Sequence, residues 1–270
     1  MQKRLLYAES PEWAEFLGRA EAVIDSPRFL QVKAEGRTRA GFVSSTNGTA
    51  AFLKISEARS FAAGVIDRLR GSRAARALRG AKLLREAGFP CPRPLAALDI
   101  IEMGGVRRSY LLSEALEDAE ILSHFALGRS AAHRHGPARR KAVAEALARE
   151  IRRLHDAGLY TRDLQETNVM VRKERDGLRF YFLDLEDFRR ARTVSWRRRM
   201  LNLVHLDRSI GRFVSRTGRL HFLYSYAGRD PDRVARKRLV SQYLEVRRSV
   251  DRAHRRKLPA GPGVGAPART

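Results

Sequence analysis

The chain has 270 residues, and its composition, 43% hydrophobic and 31% charged, is that of a water-soluble globular protein with a substantial core. No apolar run approaches the roughly 20 residues needed to span a bilayer. The opening segment, MQKRLLYAESPEW, lacks the apolar core and cleavage site of a secretory signal, so we expect a cytoplasmic protein. The single cysteine, Cys91, cannot form an internal disulfide, and we interpret it as a packed loop thiol.

The charge is strongly basic, since 54 lysines and arginines against 30 acids give a formal net charge of +24. Such a field favours anionic partners, among them nucleic acid, an acidic membrane surface and a phosphorylated glycolipid, although an arginine-biased genome explains part of the excess. Two Arg-rich segments, RRARTVSWRRR after Asp187 and residues 229–257, are candidates for docking on an anionic membrane surface. Nucleic acid is disfavoured because zinc-finger spacing, an RNP-type strand and a series of base-stacking aromatics are missing.

The N-terminal part of the chain predicts a small β-rich lobe. We assign residues 1–28 to an N-terminal extension that contains a helix over Glu12 to Ile24, capped by Ser10. Three strands should follow, at residues 29–33, 40–44 and 49–55. The third strand carries Lys54 within an apolar run, where a buried ammonium group needs an anion, and nucleotide phosphates would supply one.

Helical periodicity then covers residues 61–87, with an interruption at Gly71-Ser72. A rigid, proline-rich segment around Cys91 follows this region. Beyond it, the pattern predicts a pair of strands over residues 95–101 and 109–112, joined by a turn at Gly104-Gly105.

A connector from Ser113 to Leu116 leads into a mostly helical region, in which residues 137–158 form a strongly amphipathic helix. Three histidines, His124, His133 and His135, precede that helix and invite a metal interpretation. No cysteine or acid completes a ligand set there, so a solvated loop is the expected structure.

The stretch from Leu154 to Asp187 organises the C-terminal half, with the sequence LHDAGLYTRDLQETNVMVRKERDGLRFYFLDLED. Asp163 starts a loop, Asn168 follows, and Asp184 ends a short hairpin that turns at Arg175-Asp176-Gly177 and brings Asn168 and Asp184 side by side. An aspartate at the start of such a loop can take a proton from a substrate hydroxyl, while amide and carboxylate oxygens can bind Mg²⁺. Taken alone, these residues could equally be turn residues and helix caps.

This pattern resembles the protein-kinase-like superfamily, whose catalytic loop carries His-Arg-Asp, four further residues and Asn, with a metal-binding Asp after the next hairpin. Within it, the run from His155 to Asp187 is most similar to the bacterial lipopolysaccharide kinases, which phosphorylate heptose or 3-deoxy-D-manno-octulosonic acid (Kdo) sugars of the inner core. The resemblance implies Asp163 as catalytic base, Asn168 and Asp184 as Mg²⁺ ligands, and Lys54 as a contact to the phosphates of ATP.

The fold implied by the resemblance is α+β and bilobal, with a kinase-like N-lobe over residues 29–114, a larger helical C-lobe over 115–257 and a disordered tail over 258–270. The hinge between the lobes would pair with adenine through its backbone, at Glu114 and Leu116. The implied function is ATP- and Mg²⁺-dependent phosphorylation of a heptose or Kdo hydroxyl on the lipopolysaccharide core, at the cytoplasmic face of the inner membrane.

The chain departs from the kinase pattern at three places. Thr161 replaces the usual His, Leu185-Glu186 replaces Phe-Gly, and the helix over residues 73–87 offers no mid-helix Glu, since Glu57 is too early and Glu86 too late. The missing acid implies either a substitute acid or a degenerate lobe. A nucleic-acid-binding protein and a pseudokinase, each on a kinase-like scaffold, therefore stay open as alternatives.

Overall fold

A six-stranded antiparallel sheet forms the small lobe in the computed structural model, which describes residues 1–45, 48–127, 136–228 and 232–256. The strands are β1 Gln2–Ala8, β2 Leu30–Glu35, β3 Thr38–Ser44, β4 Ala50–Glu57, β5 Pro94–Glu102 and β6 Gly105–Glu114. Their order across the sheet is β1-β5-β6-β4-β3-β2. The predicted strands of this lobe are confirmed, because β2 to β6 fall on the five predicted segments.

Strand β1 lies in the segment assigned to an N-terminal extension, and the structure corrects that assignment. It pairs antiparallel with β5, beginning with Gln2 opposite Ile101. Helices α1 (Pro11–Gly18) and α2 (Ala20–Ile24) follow it and bury three side chains in the small-lobe core, those of Trp13, Leu17 and Ala20. The sequence did not predict β1 because apolar and polar residues do not alternate along it: the exposed positions include Leu5 and Tyr7, and Arg4 is half-buried.

Helices α3 (Phe61–Arg70) and α4 (Arg73–Glu86) confirm the predicted helical region and its interruption. Ser72 begins α4 by accepting a hydrogen bond from the amide of Ala75. α4 lies against the large lobe at Gly80, where an added Cβ would stand 1.9 Å from the carbonyl oxygen of Leu185. Only a residue without a side chain permits this approach of a helix to a neighbouring backbone.

The large lobe consists of helices around a second hydrophobic core. The helices are α5 Leu122–Leu127, α6 Pro137–Asp156, α7 Trp196–Ile210, α8 Arg216–Ala227 and α9 Arg233–Arg255. The predicted amphipathic helix is confirmed as α6, whose inward face buries Val143, Leu147, Ile151 and Leu154. The same core continues into the small lobe through the buried face of α4, so the two lobes share apolar contacts.

Short strands connect the helical core to the region between the lobes. They are β7 Ala119–Ile121, β8 Leu159–Thr161, β9 Val169–Glu174, β10 Gly177–Phe182 and β11 Phe188–Arg190. β9 and β10 form the predicted hairpin, with Val169 opposite Phe182, and β8 pairs with β11. Because Asn168 precedes β9 and Asp184 follows β10, the hairpin brings both to the same end of the sheet. The amide of Leu183 donates to the carbonyl of Asn168 at 2.9 Å.

Some predictions lie outside the described residues, namely those for His133, His135 and the tail over 258–270. His124 is exposed on α5. Cys91 is buried, and this burial raises the pKa of its thiol to about 12, so the side chain is protonated at neutral pH, as a packed thiol would be.

Replacing Gly80 with Ala should lower the free energy of unfolding by about 1–3 kcal/mol, because the new methyl group must displace α4 or the backbone of Leu185. Thermal or urea unfolding measures the change. Gly18→Ala is the matched control, since no atom lies within 4 Å of a Cβ built on Gly18. Equal stabilities for the two variants would contradict the close contact between α4 and Leu185.

Candidate active site

Lys54 projects from β4 into the space between the two lobes, where it meets two acids of the large lobe. Its Nζ lies 2.5 Å from Oδ1 of Asp184 and 3.3 Å from Oε1 of Glu186. Burial alone would lower the pKa of Lys54, but the charges of Asp184 and Glu186, and hydrogen bonds to both, outweigh it and raise the pKa. The ammonium group is therefore charged, and two carboxylates hold it.

Asp184 reaches Lys54 because the backbone turns sharply after β10. Asp184 has φ 49° and ψ 53°, in the left-handed region that few non-glycine residues adopt. Aspartate tolerates this conformation better than most L-residues, at a cost of about 1–2 kcal/mol. The turn leads into a single helical turn over Leu185–Asp187, which places Glu186 beside the same ammonium group.

Asp163 and Asn168 face each other across the loop that joins β8 to β9. The side-chain amide of Asn168 donates to the carbonyl of Asp163 at 3.1 Å and to its carboxylate at 3.5 Å. Gln165 donates to the other carboxylate oxygen of Asp163, and the backbone amide of Asp163 donates to the hydroxyl of Thr161. Thr161, the residue found in place of the usual histidine, therefore helps to shape the loop.

A divalent cation would find hard oxygen donors here. Asp184 and Asn168 supply a carboxylate and an amide oxygen, and two further carboxylates, those of Asp163 and Asp187, lie close enough to influence one another. The pKa of Asp187 is raised, first by burial and then by the charge of Asp184, with a smaller contribution from Asp163. A cation would relieve this crowding, so the residues fit Mg²⁺. Within the described ranges, no three or more His, Cys, Asp or Glu side chains are grouped so that they could hold a metal. Mg²⁺ is commonly held by one or two carboxylates, with waters and substrate phosphates as its other ligands.

The acid missing from α4 has a substitute outside the helix. Glu186 occupies the place beside Lys54, and α4 instead carries two arginines that face this acid: Arg76 lies 3.6 Å and Arg73 3.9 Å from Oε2 of Glu186. The helix thus contributes positive rather than negative charge. Sequence reasoning did not identify Glu186 as the partner of Lys54, although the run of three acids in Asp184-Leu-Glu-Asp187 was the available signal.

Comparison with known proteins places this arrangement in a family. The model of the lipopolysaccharide kinase (Kdo/WaaP) family matches residues 28–243. The chain belongs to this family. The match covers most of both lobes, so the family expected from the catalytic-loop motif is confirmed.

Two individual proteins illustrate the likeness. The 3-deoxy-D-manno-octulosonic acid kinase of Actinobacillus succinogenes (strain ATCC 55618 / DSM 22257 / CCUG 43843 / 130Z) is 28% identical over 136 residues. These are 50% of this chain, and the chain spans only about half, 52%, of that curated relative. The solved structure of WaaP in complex with acyl carrier protein superposes with a TM-score of 0.64 at 22% identity, over 92% of this chain and 98% of that one. The predicted bilobal, kinase-like α+β fold is thereby confirmed.

In this member of the lipopolysaccharide kinase family, a buried histidine supports the catalytic loop from behind. The Nε2–H of His155 donates to Oδ1 of Asn202 at 3.0 Å, and its Nδ1 accepts from the hydroxyl of Tyr226 at 2.8 Å. The amide of Asn202 donates to the carbonyl of Thr161 at 2.7 Å, two residues before Asp163. Burial lowers the pKa of His155 to about 4, so the ring is neutral and can make both hydrogen bonds.

The likeness to kinases, in many of which a helix acid hydrogen-bonds the catalytic-loop backbone, predicted this contact for Asp207 in the helix over Met200 to Val214, but Asn202 makes it. Asp207 instead binds the C-terminal helix α9, through Tyr243 at 2.7 Å and Arg247 at 2.8 Å. The expected contact between Asp207 and the catalytic-loop backbone was therefore wrong. Both residues lie on α7, and only the rotation of that helix against the loop decides which of them reaches it.

The hinge expected to bind adenine lies at the end of β6, whose last residue is Glu114, and just beyond it. The carboxylate of Glu114 accepts from the backbone amide of Arg93 at 2.9 Å, and its own amide donates to the carbonyl of Arg93. Leu116 is half-buried in the connector that follows. The side chain of Glu114 thus fixes the hinge to the segment before β5, and the adenine-binding role of the hinge stays a prediction.

No helix in the described part of the chain combines the length and the apolar character needed to cross a bilayer.

Stability should fall as the pH drops from about 6.5 towards 4, in part because of His155. The pKa of His155 in the folded protein, about 4, lies below the ordinary histidine value of 6.5, so the unfolded chain binds a proton first and acid favours unfolding. The neutral ring contributes its full stability above pH 6.5, and the loss amounts to about 3 kcal/mol once both states are protonated.

The measurement is the free energy of unfolding between pH 4 and pH 7.5 for the wild type, His155→Gln and the control His254→Gln, whose side chain is exposed. His155→Gln should be less stable at neutral pH and show a shallower decline with acid. If the three curves run parallel, His155 is not the titrating group.

Proposed function

We propose that this protein is an ATP- and Mg²⁺-dependent kinase that phosphorylates a hydroxyl of Kdo or heptose in the lipopolysaccharide inner core. The observation that carries the proposal is the 2.5 Å ion pair between Lys54 of the small lobe and Asp184 of the large lobe, beside Asp163 and Asn168. Family membership supports the kinase activity, and the activity named for the curated relative favours Kdo as the acceptor.

Asp163 is the group that receives the proton of the acceptor hydroxyl. Its carboxylate is held by Gln165 and Asn168, so it is oriented before the acceptor arrives and little reorganisation is needed. Bound Mg²⁺ supplies charge neutralisation at the phosphates. Asn168 and Asp184 would hold it.

Lys54 serves the donor nucleotide. In the free protein its charge is compensated by Asp184 and Glu186, and with ATP bound the phosphates would share this ammonium group. The backbone at Glu114 and Leu116 would pair with adenine at the back of the cleft. Asp184 and Glu186 prevent the side chain of Lys54 from extending into solvent. The ammonium group is therefore already in position to contact the phosphates.

The proposed location is the inner face of the cytoplasmic membrane. Helix α9 buries Leu239 against the large lobe and exposes basic side chains along its length, which are Arg233, Lys237, Arg238, Arg248, Arg252 and Arg255. Exposed basic residues are attracted to anionic headgroups by about 1 kcal/mol each near the surface. This surface would bring the cleft to a membrane-bound acceptor.

An apolar cavity in the large lobe is the observation that supports a second proposed partner. It measures about 1060 Å³ between α6, α7 and α8, and its lining includes Leu147, Leu203 and Leu206. Exposed basic residues stand at its edge, namely Arg140, Lys141 and Arg216. The related WaaP structure contains an acyl carrier protein. We propose that this cavity receives the acyl chain of such a carrier, while the basic edge attracts an anionic carrier surface.

Substituting Asn for Asp163 should lower kcat by roughly 10²–10⁴-fold, because the proton acceptor is lost while the shape is kept. The assay follows transfer of labelled γ-phosphate from Mg-ATP to a Kdo-bearing or heptose-bearing lipid acceptor. Asp176→Asn, in the exposed hairpin turn, is the matched control and should keep full activity. If the folded wild type phosphorylates no sugar acceptor, or binds Mg-ATP without turnover, the kinase proposal is rejected. Either result would favour the pseudokinase alternative.

Filling the apolar cavity should abolish stabilisation by an acylated carrier. A long-chain acyl carrier protein at about 100 times its Kd should stabilise the wild type by about 2.7 kcal/mol, which is several degrees in Tm. Ala144→Phe places a ring in the cavity, whereas Ala142→Phe on the exposed face of α6 is the matched control. Equal stabilisation by the carrier without its acyl chain, or an undiminished shift in Ala144→Phe, would contradict the proposal.

A further inference from the structure

A cleft that shares Asp184, Glu186 and Asp187 with the candidate active site is otherwise lined mainly by guanidinium groups. It has a volume of about 710 Å³ and lies between helices α3 and α4 on one side and the segment from Asp184 to Arg190 on the other. Seven arginines and four acids line it. The arginines are Arg70, Arg73, Arg76, Arg79, Arg162, Arg189 and Arg190.

The acids pair with only some of these arginines. Asp67 lies 2.9 Å from Arg76, and Glu186 lies 3.6 Å from Arg76 and 3.9 Å from Arg73. Asp184 and Glu186 also pair with Lys54. Within the ranges that the structure describes, Arg70 and Arg190 make no ion pair, and both are exposed at the edge of the cleft. The cleft therefore keeps a net positive charge after its internal pairs are counted.

Three separate parts of the chain contribute these charges. Arg70 and Arg79 come from the helices of the small lobe, Arg162 from the catalytic loop, and Arg189 and Arg190 from β11. Five of the seven arginines are exposed, so solvent and salt weaken their mutual repulsion while their elements hold them around one cleft. Planar guanidinium groups converging from several directions match the oxygens of a phosphate group, to which each arginine can donate two hydrogen bonds.

We propose that this cleft binds a phosphomonoester group carried by the acceptor glycolipid. The proposal rests on the proposed kinase function and adds to it a determinant of acceptor choice. The sugar hydroxyl would approach Asp163 while a phosphate elsewhere on the same molecule is held by the arginines. The strongly basic composition of the chain has here a specific structural use, in addition to any general attraction to membranes.

The cleft is also connected to Lys54 through Glu186. Arg76 lies 3.6 Å from Oε2 of Glu186, while Oε1 of the same carboxylate lies 3.3 Å from Lys54. A phosphate that engages Arg73 and Arg76 competes with Glu186 for them and leaves this acid to Lys54. Occupation of the cleft therefore alters the electrostatic surroundings of the nucleotide contact.

The test uses the double variant Arg70→Gln/Arg190→Gln and a control with the same change of charge, Arg68→Gln/Arg175→Gln, in which both positions are exposed and outside the cleft. Steady-state kinetics are measured with a phosphorylated lipid acceptor and with the same acceptor after enzymatic removal of its phosphates. The double variant should raise the KM for the phosphorylated acceptor at least tenfold, because charge-assisted hydrogen bonds are lost. The KM for ATP, and turnover of the dephosphorylated acceptor, should match the control.

An unchanged KM for the phosphorylated acceptor in the double variant would overturn the proposal, as would equal use of both acceptors by the wild type. Titration with inorganic phosphate tests the remaining alternative, that the cleft binds free phosphate rather than a phosphate group on the glycolipid. If phosphate binds the wild type and not the double variant while acceptor phosphorylation has no effect on KM, the cleft is a site for free phosphate and the glycolipid assignment is wrong.

A direct binding measurement keeps the result independent of catalysis. Micelles that contain the phosphorylated acceptor are titrated with the wild type and both variants in the absence of ATP. If only the double variant binds more weakly, the result supports the proposed phosphate site in the cleft, even when no turnover is seen. In that case it is the kinase proposal that fails. Equal binding by all three proteins rejects the cleft whatever the activity.

Discussion

The contact between Lys54 and the acids Asp184 and Glu186 is the constraint on which the rest of the structure depends. Each partner is positioned by a different lobe: β4 is fixed by its pairing with β3 and β6, and the acids follow the β9–β10 hairpin. An ammonium group and two carboxylates are costly to bury separately and much less costly together. The ion cluster therefore favours one relative position of the lobes, the one that forms the cleft proposed for the nucleotide.

Packing supports the same arrangement from a second direction. Gly80 lets α4 contact the backbone at Leu185, between Asp184 and Glu186, so a rigid helix fixes the acidic segment while Lys54 binds its side chains. Behind the loop, His155 and Asn202 hold the carbonyl of Thr161. The residues proposed for chemistry are thus supported by apolar packing on one side and by a fully hydrogen-bonded polar chain on the other.

Sequence reasoning recovered the features that depend on local spacing. The positions of Asp163, Asn168 and Asp184 follow from one loop and one hairpin, and Lys54 is conspicuous because it interrupts an apolar strand. The substitute acid Glu186, the support from Asn202 and the arginine-lined cleft were not predicted. Each of these depends on which distant segments of the chain meet in the folded protein. Hydrophobic periodicity shows which face of an element is buried but not which neighbour that face meets.

Strand β1 has a consequence for how the molecule is made. Its partner β5 lies almost a hundred residues further along the chain, with Gln2 opposite Ile101. This edge of the small-lobe sheet therefore cannot form until β5 has been synthesised. Contacts between such distant segments slow folding because a long loop must be ordered first. Ribosomes add roughly 5–20 residues each second. Several seconds therefore pass between the synthesis of β1 and that of β5. During that interval β1 has no partner strand, and chaperones or other nascent chains can bind it.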